Sequence, residues 1–224
     1  GATYTHGVGA PVAQTAVISW NKGQNELPYS EALDNAGWFK ILTSATANSL
    51  TAPNGTTTAD TLTTTNAGVC YTYQLISSAS GAYTLSTYAK KGNNNFIALN
   101  VQSSGSSWNT AIFDLSDGTL GEYAEGAGSG FVYVSHTITN AEDGWYKCSL
   151  NFTHTLTSIY PVIMFAPLKT GNSFTANYGE TQNNALGKTI SVWGASLSLT
   201  ANGDVYVPTL STAQTSDVLL PQGL

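Results

Sequence analysis

Arginine is absent from this 224-residue sequence, and charged residues make up only 9% of it, where about 25% is usual. Seven lysines stand against thirteen acidic residues, for a net charge of −6. Without a basic patch there is nothing to displace phosphate counterions, so nucleic acid is excluded as a partner class and anionic membranes are disfavoured. No apolar run approaches the roughly 18 to 20 residues of a membrane span, which argues against membrane insertion. The opening residues, Gly1 to His6, lack the basic and apolar regions of a signal peptide, as expected of a mature product or of simple loss of an initiator Met. Cysteine is equally scarce. Cys70 and Cys148 both fall in strand-like runs, which points to two buried thiols; a bridge between facing strands is the alternative. His6, His136 and His154 are too far apart for a local metal motif, and no Gly-x-Ser-x-Gly elbow is present. No cofactor and no catalytic residue is expected, so the chain is read as a non-enzyme.

What is abundant is Thr, Ser, Asn and Gly, with 42% hydrophobic residues to build one large core. Strand signals recur at close spacing, broken by Asn-Gly, Asp-Gly and Gly-Asn pairs that supply turns. Strands are predicted over 70–76, 82–90, 95–102, 110–114, 131–137, 144–153, 160–166 and 189–199, with a short one over 58–63 and a last one over 204–208. This rhythm is that of an all-β antiparallel sandwich. The only helical turn expected is at 30–35. Residues 1–24 form an arm with an apolar anchor at Val17 to Trp20, 25–210 the sandwich and 211–224 a tail. An apolar cluster so near each end is expected to dock on a neighbouring chain, making a homo-oligomer.

Alternation along a strand sends successive side chains to opposite faces. Tyr83, Leu85, Thr87 and Ala89 share one face, as do Ile97, Leu99 and Val101, and Tyr146, Cys148, Leu150 and Phe152. If these strands lie in one sheet, their second faces form a surface of Tyr88, Phe96, Asn100, Gln102, Lys147 and Asn151. Aromatic faces, amides and an amine suit a sugar, and covering the sandwich or a subunit is the alternative use. Trp108, in the Ser- and Gly-rich stretch 103–109, is expected on a loop tip as a further ligand or subunit contact, whereas Trp38, Trp145 and Trp193 are expected to be framework. The acidic pairs Asp114 with Asp117, Glu122 with Glu125 and Glu142 with Asp143 all fall in or beside predicted turns, where they cap backbone amides.

Several segments, taken in order, carry a resemblance. They begin with Asn25-Glu26-Leu27-Pro28-Tyr29-Ser30 through Gly37-Trp38 and Ala52-Pro53-Asn54-Gly55, and continue with Tyr83-Thr84-Leu85-Ser86 and Phe113-Asp114-Leu115-Ser116-Asp117-Gly118. Asp143-Gly144-Trp145-Tyr146, Ile190-Ser191-Val192-Trp193-Gly194 and Val205-Tyr206-Val207-Pro208 complete the set. Across 25–217 the chain resembles the jelly-roll domains of bacteriophage tail-fibre, head-fibre and minor virion proteins, a group similar to carbohydrate-binding modules. The resemblance implies a virion structural protein, assembled in the host cytoplasm and displayed on the extracellular particle, with other virion proteins and host surface polysaccharide as partners. A secreted carbohydrate-binding module or lectin is the alternative, and a polysaccharide-cleaving enzyme a weaker one. Related modules often place a calcium-binding Asp in the last strand. Here that strand carries no acid, which leaves Glu31 and backbone carbonyls as the only candidate ligands and no metal expected.

Overall fold

A computed structural model of the chain describes residues 21–103, 105–200 and 205–218. Among the described residues fifteen strands account for almost all regular structure: β1 (Asn21–Asn25), β2 (Phe39–Ile41), β3 (Thr43–Leu50), β4 (Ala59–Thr64), β5 (Tyr71–Tyr73), β6 (Ile76–Ser77), β7 (Gly81–Lys91) and β8 (Phe96–Gln102), followed by β9 (Trp108–Asp114), β10 (Thr119–Glu125), β11 (Phe131–Asn140), β12 (Trp145–His154), β13 (Ser158–Ala166), β14 (Thr189–Leu199) and β15 (Gln214–Val218). One sheet runs β10-β9-β8-β13-β5-β2, with β6 beside β13, and the other runs β11-β12-β7-β14-β4-β3. Every pairing in them is antiparallel. The molecule is a jelly-roll β-sandwich.

The alternation read from the sequence holds in β7, β8 and β12. Leu85 and Ala89, Ile97 and Leu99, and Cys148 and Leu150 all enter the core between the sheets, joined by Phe113, Ile163, Phe165 and Val192. In β14 the alternation breaks at a bulge after Trp193, where Gly194 takes φ +65°. The bulge lets Val192 and Ala195 both face inward while Trp193 faces out. Both cysteines are free and buried in this core. Burial pushes the Cys70 thiol up to about 11 and Cys148 higher still, so neither is a reactive thiolate.

Five strands carry too little pattern to be expected. β3 is Thr, Ser, Ala and Asn on an edge and is mostly exposed, so no apolar face marks it. β10 is interrupted by Gly121 and a register shift, and β1, β2 and β15 are three to five residues long. The stretch 30–35 is a run of i to i+3 turns at Tyr29, Ala32 and Asn35 rather than a helical turn. Residues 205–209 form no strand, which replaces the expected last strand with β15.

Buried polar side chains tie the two chain segments of the sandwich's open end together. Asn25 is fully buried: its amide donates to Ala195 O and Val207 O, and its carbonyl accepts from Leu27 N and Leu197 N, all within 2.9 to 3.1 Å. A second relay runs from Thr209 N to Ser30 Oγ (2.8 Å), on to Tyr206 OH (2.8 Å) and then to Glu31 (3.0 Å). β1 then pairs antiparallel with β15. The end of the expected N-terminal arm and part of the expected tail thus pair with each other, while the Val17 to Trp20 anchor and residues 219–224 lie outside the described residues.

Candidate functional site

The outer face of the seven-stranded sheet is unusually rich in tyrosine. Tyr71 and Tyr73 stand two apart on β5, so both rings project to this face, and Tyr160 on β13 lies directly across from Gln102 on β8. Val162 sits between Asn100 and Tyr73 in the next row, and Phe39 on the edge strand β2 continues it. The rings pack in sequence: Phe39 to Tyr73 at 5.3 Å, Tyr73 to Tyr71 at 5.7 Å and Tyr73 to Tyr160 at 5.9 Å between centroids. Below them lies an apolar floor of Ala98, Ile112, Val162 and Met164.

The long connection 167–188 folds back over this face and makes the opposite wall. Glu122 accepts from the backbone amides of Gly171 and Asn172, pinning its start. Phe174 stacks on Trp108 at 6.0 Å, Trp108 Nε1 donates to Ala176 O, and Asn100 and Thr110 donate to Tyr178 O and Gly179 O. Thr181 Oγ1 closes the far end on Phe165 O. Gly179 is required here: its φ is +68°, and a Cβ would lie 2.1 Å from Trp108 Cε3.

Between the loop and the sheet lies a cleft of about 320 Å³ lined by Tyr71, Tyr73, Gln102, Tyr160, Tyr178 and Glu180. That volume is at the small end of ligand pockets. Burial, reinforced by the neighbouring Glu180 carboxylate, pushes the Tyr71 phenol above the ordinary tyrosine range, so it stays a hydroxyl donor. Glu180 is almost fully buried and accepts from Thr175 Oγ1 at 2.7 Å. Gln102 is 5% exposed, yet its Oε1 has no hydrogen-bond partner among the described residues. A buried acceptor left unpaired costs about 1 to 3 kcal/mol.

The structure divides the residues expected to form one sugar-facing surface. β8 belongs to one sheet and β7 and β12 to the other, so Phe96, Asn100 and Gln102 face out on one side of the sandwich and Tyr88, Lys147 and Asn151 on the opposite side. Gln102 alone of these lines the cleft. Asn100 is fully buried and serves the 167–188 connection, and Phe96 packs at the edge of the apolar floor. Trp108 is corrected from a loop tip to the first residue of β9, buried beneath the same connection. Tyr88 packs on Trp193 and Tyr206, with Lys147 Nζ 5.8 Å from its ring centre. Sequence reasoning missed Tyr71, Tyr73, Tyr160, Tyr178 and Glu180. The Tyr-x-Tyr of β5 and the Tyr-x-Val-x-Met of β13 were readable as an aromatic face; nothing local marks the two loop residues.

Several other acidic groups among the described residues hold turns and loops. Asp114 accepts from Ser116 N at 2.9 Å, Asp117 from Thr119 N at 3.1 Å, and Lys169 lies within 3.5 Å of both. Glu122 and Glu125 lie within β10 rather than at a turn, and Glu31 accepts from Tyr206. Among the described residues no three His, Cys, Asp or Glu side chains converge as metal ligands.

No family model matches the chain, and no curated protein does. The solved structures that the chain is similar to include two of β-sandwich proteins. The module TmCBM61 in complex with β-1,4-galactotriose is 12% identical over 79% of this chain and 99% of its own, with a TM-score of 0.43. A protein from Bacteroides thetaiotaomicron VPI-5482, described as a sugar-binding candidate, is 13% identical over 78% of this chain and 94% of its own, with a TM-score of 0.39.

Proposed function

We propose that this chain is a non-catalytic carbohydrate-binding module that seats a glycan in the tyrosine cleft of its seven-stranded sheet. The observation that carries this reading is a small cleft walled by four tyrosines, with the Gln102 side chain and the Glu180 carboxylate completing its lining. Tyrosine rings offer flat apolar surfaces to the C–H faces of a pyranose, and their hydroxyls exchange hydrogen bonds with its rim. A glycosidase needs two carboxyls about 5 to 9.5 Å apart across the sugar. Glu180 is the one carboxylate among the cleft's lining residues, so the chemistry favours holding a sugar over cutting it.

Glycan titration by calorimetry tests the proposal. Tyr73→Ala and Gln102→Leu are each expected to weaken binding by about tenfold or more, at the level of one lost stacking or hydrogen-bonding contact. Undiminished affinity in both variants, with far-ultraviolet circular dichroism unchanged, would contradict it.

A second reading, favoured by the ordered resemblance across 25–217, places the module on a virion. There, copies held by homo-oligomeric and virion contacts would gain avidity for host polysaccharide from many weak sites. Co-purification with phage particles at a fixed copy number is the expected result. Loss from particles on a density gradient would leave the secreted-module reading alone.

A further inference from the structure

We infer that the cleft selects neutral glycans and rejects anionic ones, with Glu180 as the residue that sets this preference. The inference rests on the reading of the cleft as a glycan site. Its lining holds one carboxylate, one amide and four phenols, and no lysine; the sequence has no arginine at all. A guanidinium fork, an ammonium group and a helix N-terminus are thereby missing from its lining. What the cleft presents instead is phenol hydroxyls beside one carboxylate. Glu180 keeps acceptor capacity beyond its bonds from Thr175 and Tyr71.

Sugar hydroxyls satisfy such a wall because each can donate to the Glu180 carboxylate and accept from a phenol hydroxyl. A uronate carboxylate or a sulfate brings only acceptors and a negative charge. Placed beside the buried Glu180, it would meet like-charge repulsion in a site poorly screened by solvent.

The geometry also explains why Glu180 is held in place rather than left free to swing away. Thr175 Oγ1 donates to its carboxylate and accepts from its backbone amide, a reciprocal clasp within the loop. The neighbouring Gly179 to Thr181 segment is anchored by Thr110 and by the bonds of Thr181 to the sheet.

The test is a paired glycan array carrying neutral polysaccharides beside uronic-acid and sulfated ones, probed with the wild-type chain and with Glu180→Gln. The wild type is expected to bind neutral glycans at least tenfold better than acidic ones. Glu180→Gln is expected to shrink that ratio, by raising binding of acidic glycans relative to neutral ones. Preferential binding of acidic glycans by the wild type would overturn the inference while leaving the glycan-binding reading intact. So would an unchanged ratio in Glu180→Gln. Absence of binding to every glycan would overturn both. Thr175→Val, which loosens the clasp and keeps the charge, separates charge from fold: it is expected to retain discrimination against acidic glycans.

Discussion

Asn25 does the work that a disulfide does in smaller secreted domains. Its one amide serves four backbone groups from three chain segments, and all are buried. Removing it strands those groups without water, so Asn25→Ala is expected to cost about 3 to 5 kcal/mol, read as a lowered urea midpoint. A midpoint unchanged within error would show that the clip is dispensable. His154 sets a second residue-scale expectation. Its ring is enclosed by Tyr83, Phe131 and Phe152, and burial holds it below the ordinary histidine range, with the Leu156 backbone bond raising it in part. The unfolded chain takes up that proton near pH 6.5 and the folded chain does so only at lower pH. Stability is therefore flat above the unfolded value and declines as pH falls below it. His136, also depressed by burial, acts in the same sense, so His154→Gln is expected to reduce the loss of Tm between pH 7 and 5 without abolishing it. An unaltered pH profile would contradict this.

At the scale of elements, the 167–188 connection matters more than any strand. It has no regular structure longer than an isolated bridge, and its shape is borrowed from the sheet beneath it through Trp108, Asn100, Thr110 and Glu122. Two residues read from the sequence as sugar contacts, Asn100 and Trp108, thereby become supports for the residues that line the cleft. Trp108→Ala removes the Phe174 stack and the Ala176 bond. It is expected to weaken glycan affinity by about tenfold although Trp108 does not line the cleft, with faster proteolysis inside 167–188 as the independent readout. Retained affinity together with unchanged proteolysis would show that the loop holds itself. The strands themselves were legible where one face is buried, because alternation in β7, β8 and β12 follows directly from burial. They were illegible where both faces are polar, as in β3, or where pairing partners are distant, as in β1 and β15. Face alternation says which residues share a side of one strand. It cannot say which strands share a sheet, and that gap separated Tyr88 and Lys147 from Gln102.

At the scale of the whole molecule, the sandwich presents two outer faces with different fates. On the six-stranded side, Trp145, Trp193, Tyr88 and Tyr206 pack into a closed aromatic cluster whose indole N–H groups bond Thr51 O and Thr58 Oγ1. On the seven-stranded side the tyrosines remain half-open around the Gln102 side chain and Glu180. A low-charge surface rich in Thr, Ser and Asn surrounds both, so any attraction of a ligand is by contact rather than by long-range steering. The claim that the open side is the binding side is tested most directly by solution NMR: the side-chain amide of Gln102 and the backbone amides of β5 and β13 are followed while a bound glycan is titrated. The expected result is saturable shifts at Gln102, Tyr71, Tyr73 and Tyr160. Shifts confined to the Tyr88 and Lys147 face would contradict it.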